Sequence, residues 1–177
     1  MIRPAALLTA LILALAVPAA EARERKSAAA AALPGLELAV ATAKQMRAKG
    51  QRVWCVPFAR NLSGIDIRGN AKTWWEGAKG RYRRGDDPKV GAVMVFSGSK
   101  KMPMGHVAVV SAIVDERVIL IDHANWKKNQ ISLGMAVVDV SEAGDWSAVR
   151  VEGDPGVVGR VNPVSGFIYP GEMVASN

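Results

Sequence analysis

The stretch GHVAVVSAIVDERVILIDHANW, Gly105 to Trp126, decides the architecture. Its two halves, His106–Val114 and Arg117–Asn125, are runs of β-branched and small apolar residues, and the Asp115-Glu116 pair between them is a turn signal. Read as antiparallel neighbours, they form one hairpin. Side chains alternate along a strand, so His106 and Ala108 share a face, as do Ile121, His123 and Asn125, while Asp122 and Ala124 point the other way. The turn lies about midway between the two histidines, which are the chain's only two. They are therefore expected to face each other across the ladder, held by apolar neighbours.

Outward from this hairpin the pattern stays β-like on both sides. Val90–Phe96 precedes it, and Met135–Val140, Ala148–Val151 and Gly166–Tyr169 follow, each bounded by turn residues. RYRRGDDP, 81–88, reads as a charged turn. Further upstream the period changes to that of a helix. Leu36–Lys49 carries apolar residues one turn apart and ends at Gly50. Cys55–Leu62 is a second short helix stopped by Gly64, and Ala71–Ala78 is a third. Helices first and strands after is the α+β order. The expectation is N-terminal helices packed on an antiparallel sheet of about six strands.

The chain opens MIRPAALLTALILALAVPAAEARER. Arg3, an apolar run from Ala5 to Val17 and small residues around Ala20-Glu21-Ala22 read as a secretory signal peptide over 1–22. The run is short against the roughly 20 apolar residues of a spanning helix, so no stable membrane insertion is expected after cleavage. Residues 23–50 then serve as linker and N-terminal helix, 51–170 as the functional domain and 171–177 as a tail. The expected location is secreted or periplasmic, in a bacterium, as a monomer. The net charge of +7 is spread over several Lys and Arg clusters. A basic exported protein suits an anionic surface such as cell-wall polymer. Nucleic acid is not expected, because no ladder of stacking aromatics and no zinc-finger spacing occurs.

Cys55 is the single cysteine. Exported proteins meet an oxidising compartment where cysteines pair, and one cysteine has no partner within its chain. Such a residue is a reactive thiol, a buried spare or an intermolecular link. Cys55 stands at the start of an expected helix, and the hairpin supplies two imidazoles. Thiol, imidazole and a polar orienting group form the kit of a cysteine nucleophile. The thiolate is the attacking species, and a helix N-terminus or a nearby imidazolium lowers a thiol's pKa. His106 would accept the thiol proton and return it to a leaving amine. His123 or Asn125 would fix its tautomer, and Trp126 could shield that bond from water. A zinc site is disfavoured by the long gap between Cys55 and His106 and by the lack of a compact ligand motif. No metal and no cofactor are expected.

In WCVPFAR at the head of a helix, GAVMVF, MGHVAVV and LIDHANW, the chain resembles the CHAP family of cysteine, histidine-dependent amidohydrolases and peptidases, relatives of the NlpC-type cell-wall enzymes with a papain-like fold. The resemblance covers about Gln51 to Trp126. It implies Cys55 as nucleophile, His106 as base, and the HANW segment as the source of the orienting group. His123 stands where the family commonly has glutamate, as it does in NlpC-type relatives, while Asn125 and Trp126 match. Trp54 precedes the cysteine where many members carry glutamine or asparagine, so no side-chain oxyanion donor is assigned. The implied activity is cleavage of a peptidoglycan amide through a thioester, by an amidase or endopeptidase. The expected catalytic set is Cys55, His106, His123 and Asn125. The expected substrate contacts are Trp54, Trp75, Trp126 and Lys101. A wall-binding module without catalysis and a thiol acyltransferase are the alternatives.

Overall fold

The computed structural model describes residue 33 and residues 35–173. The expected leader, most of the alanine-rich tract that follows it and the end of the tail lie outside these residues. Helix α1 spans Leu36–Ala48 and α2 spans Cys55–Ser63; a 3-10 turn at Ala71–Thr73 leads into a one-turn helix α3, Trp74–Gly77. Seven strands follow: β1 Tyr82–Gly85, β2 Val93–Phe96, β3 His106–Ile113, β4 Val118–Ala124, β5 Ile131–Asp139, β6 Ala148–Asp154 and β7 Val157–Met173.

The helices-then-strands order and the antiparallel pairing are as the sequence predicts. The expected antiparallel sheet of about six strands is refined in one respect: β2 to β7 close into a six-stranded barrel, and β1 is an added strand on β7. The cause is the length of β7. Its first half pairs with β6 through Val157 to Pro163, and its second half pairs with β2 through Val164 to Ile168. In sequence only Gly166–Tyr169 reads as a strand, because Gly159, Pro163 and several polar residues interrupt the rest of the run. The charged turn at RYRRGDDP is corrected, since Tyr82–Gly85 pairs with the far end of β7.

Two apolar layers share the central strands. Val93, Val95, Val107 and Val109 point outward under the helices, with Phe58, Leu62 and Trp74 packed over them. Met94, Phe96, Ala108, Val110, Ile119 and Ile121 point inward and meet Val137, Val149 and Phe167 inside the barrel. β2 is therefore buried on both faces, which is why VMVF carries no polar position. Burying a Val- or Phe-sized side chain contributes about 1.5–3 kcal/mol, so these two layers hold the helices and barrel in one fixed relation.

Candidate active site

Helix α2 starts at the cysteine. Trp54 is extended, and the first helical bond runs from the Phe58 N–H to the Trp54 carbonyl at 3.4 Å. Pro57 sits in the first turn, where a missing N–H costs no helical bond. Buried Phe58, Ala59 and Leu62 seat α2 on the outer face of the barrel. The β3–β4 ladder begins only at Val109 opposite Asp122, which leaves space beside Val107 for the helix end. There the backbone N–H groups of Val107, Val56 and Cys55 itself approach the half-buried sulfur. Burial pushes the Cys55 thiol above its ordinary value, and those three N–H groups offset part of the rise.

His106 is the first residue of β3 and points into the barrel mouth. Gly105 before it has φ +67°, and a Cβ there would stand 2.7 Å from the Lys72 backbone nitrogen and 2.8 Å from the Phe96 carbonyl. Only glycine fits, which explains the Gly-His step in physical terms. His106 Nε2 lies 3.0 Å from His123 Nδ1. The two imidazoles are diagonal rather than opposite neighbours, because Val109 pairs with Asp122 and the ladder shifts at Ser111. The rings meet edge-on with centroids 5.1 Å apart.

Both imidazoles are buried. Burial lowers His106 to about 3 and takes His123 well below the ordinary histidine value, with the neighbouring His106 adding to the second shift. At neutral pH neither ring carries a charge. Burial thus favours neutral thiol and neutral imidazole over an ion pair in the resting site. Trp126 stacks on His123 at 25° and 5.6 Å, and its ring lies edge-on to His106 at 5.1 Å. Phe96 closes on both His106 and Trp126. These rings keep water from the bond between the histidines.

Cys55 and His106 line one cleft of about 730 Å³, together with Trp54, Trp126, Asn125 and Lys101. Among the described residues the thiol's partners are backbone N–H groups and the partner of His106 is His123, so thiol and base meet at the cleft rather than through a direct bond. Among the described residues no hydrogen bond joins Asn125 to His106. Its Oδ1 accepts from the Asn129 N–H at 2.8 Å and from Arg52 Nε at 3.3 Å, while Asn129 Oδ1 accepts from the Val53 N–H at 2.9 Å. The two asparagines thus clasp the segment leading to Cys55 onto the end of β4. Arg52 also lies over the Trp54 ring at 4.3 Å. Trp75 lies away from the cleft, under Arg84 and against Gly166. Sequence reading missed Arg160 and Asn162, which line the cleft from β7, because that strand carried no motif. It also missed Met135, whose Sδ lies 3.3 Å from His123 Nε2.

The family model of the CHAP domain matches residues 46–125. The match runs from the end of α1 through the last residue before Trp126 and includes Cys55, His106 and His123. Over these residues the chain is similar to CHAP domains, which are generally amidohydrolase or peptidase domains. No curated protein matches the chain. Among the described residues no helix is long and apolar enough to cross a membrane, and no group of three or more His, Cys, Asp and Glu gathers as a metal site.

Proposed function

We propose that this protein is an exported peptidoglycan hydrolase that cuts an amide through a thioester on Cys55. The observation that carries the reading is the shared cleft. A helix-end thiol and His106 line it, and the far nitrogen of His106 is held by buried His123. The leader at 1–22 and the basic charge support export and an anionic wall substrate.

With Nε2 engaged, His106 has Nδ1 available to the cleft. The Cys55 sulfur attacks the amide carbonyl while its proton moves to Nδ1. The tetrahedral oxyanion takes hydrogen bonds from backbone N–H groups at the start of α2. The C–N bond breaks, and His106 returns the proton to the departing amine. Water then attacks the thioester, giving its proton to His106, and the acid leaves as the thiol is restored. Because the resting pair is neutral, proton transfer accompanies attack rather than preceding it.

The test is digestion of purified peptidoglycan by the chain from Arg23, beside Cys55→Ala, with soluble products identified by mass. Fragments released only by the intact protein are expected, and their masses name the bond. Release of nothing by either protein, with both still pelleting with the wall, would sink the catalytic reading and favour a binding module. Capture of the acyl group by an added amine in place of water would make it an acyltransferase.

A further inference from the structure

We infer that Met135, delivered by a bulge in β5, sets the proton positions of both histidines and so leaves His106 Nδ1 bare toward the cleft. The catalytic consequence rests on the hydrolase reading above; the proton positions do not.

The sequence of contacts is Met135 Sδ to His123 Nε2 at 3.3 Å, then His123 Nδ1 to His106 Nε2 at 3.0 Å. A thioether sulfur carries no proton and can only accept. His123 Nε2 must then carry the hydrogen. A neutral imidazole has one N–H, so His123 Nδ1 is a bare acceptor and the hydrogen between the rings belongs to His106 Nε2. His106, neutral in turn, has its lone pair on Nδ1. That is the form able to take a proton from a thiol. In the opposite arrangement His123 Nδ1–H donates to His106, and a lone pair on His123 Nε2 faces the lone pairs of sulfur. His106 would then present an N–H to the cleft and could accept nothing there. All three residues are buried, so water does not stand in for the thioether.

The bulge puts the sulfur in reach. Ile121 pairs with Met135, but His123 pairs with Ser132, so Asp122 on β4 is opposed by both Leu133 and Gly134 on β5. Gly134 has φ +56°, and its N–H donates to the buried Asp122 Oδ1 at 2.6 Å. A bulge of this kind re-aims the side chain beside it. Asp122, which faces away from the histidines, thereby acts on them through the backbone of the next strand. Met135 and Asp122 are positioning residues: neither touches substrate.

The experiment reads the ring nitrogens directly, by 15N–1H NMR of the purified protein labelled at histidine, near pH 7. The expected spectrum has both histidines protonated at Nε2 only. A hydrogen on Nδ1 of His123 overturns the proposal. In Met135→Leu, which keeps volume and loses the acceptor, part of the His106 signal is expected to move to the Nδ1–H form. With the wall as substrate, kcat falls about three- to tenfold at unchanged KM, the size expected for one weak hydrogen bond. Met135→Gln, whose amide oxygen accepts, restores both the spectrum and the rate. Unchanged ring protonation in Met135→Leu also overturns the proposal. If the leucine variant does not fold, the wild-type and glutamine spectra decide. If the wall is not a substrate, the hydrolase reading fails on the rate while the spectra still answer for Met135.

Discussion

At Cys55 two opposing effects act on one sulfur: burial favours the thiol, and three backbone N–H groups favour the thiolate. Burial is the larger, and no imidazolium stands by at neutral pH. Alkylation of Cys55 by iodoacetamide, without substrate, should therefore climb continuously from pH 6 through pH 9. A plateau between pH 5 and 7 would mean a preformed ion pair and refute the neutral resting state. The histidines give a second signature, in stability. Their folded-state pKa values lie below 6.5, so the unfolded chain takes up protons first as pH falls. Stability is complete above about pH 6.5 and declines as pH falls toward 3. Urea unfolding at pH 7 and pH 4.5 should differ by on the order of 2–5 kcal/mol, and His123→Gln should remove about half of that difference. An equal drop in the variant would show that His123 is already charged in the fold. At this scale much was legible in the sequence. A lone cysteine and a Gly-His step have few neighbours to choose from, so Cys55 and His106 could be singled out. Burial could not be read, and with it went the charge of the imidazoles.

Elements fix how these residues meet, and much of that is local. The starts of α1, α2, β3 and β6 follow the sequence pattern to the residue, since periodicity and turn chemistry act over a few positions. Pairing shifts do not. The diagonal meeting of His106 and His123 depends on the shift at Ser111, and the contact of Met135 depends on the bulge at Gly134. One extra residue changes which side chains share a face, and an apolar run gives no sign of it. Asn125 is the same lesson from the other side. The sequence offered it as a partner for His106, whereas it clasps the entry to α2, at φ +65°. Asn125→Gly keeps that backbone conformation without strain and removes only the clasp. It should lower stability by about 1 kcal/mol and, with Cys55 as the proposed nucleophile, lower the proposed hydrolase's kcat roughly 10- to 100-fold, since small displacements of a nucleophile are costly. Wild-type cleavage by the glycine variant, checked on the same peptidoglycan, would show that the clasp does not position Cys55.

On the scale of the molecule, closure of the barrel builds the second wall of the cleft. An open sheet would end at β6, and its edge would be exposed; β7 instead crosses from β6 to β2 and brings Arg160 and Asn162 to the mouth. Closure was not legible because it needs β7 to be one long strand through Pro163, a residue that argues against a strand when met alone. The wall has an electrostatic consequence. Lys101, from the loop before β3, and Arg160, from β7, line the cleft, and no Asp or Glu is among its described lining residues. A cleft of one sign concentrates ligands of the other, and the proposed substrate, a wall amide near free carboxylates, would meet that requirement. Lys101→Glu combined with Arg160→Glu should raise KM for wall fragments at low ionic strength and leave kcat nearly unchanged, because neither side chain touches the thiol or the imidazoles. Both cations are exposed, so screening should erase most of the difference by about 1 M salt, where the Debye length falls to about 3 Å. Steady-state rates on soluble fragments across a salt series decide it. A KM that ignores both the substitutions and the salt would show that carboxylates of the substrate bind elsewhere, and that the cleft selects by shape and hydrogen bonding alone.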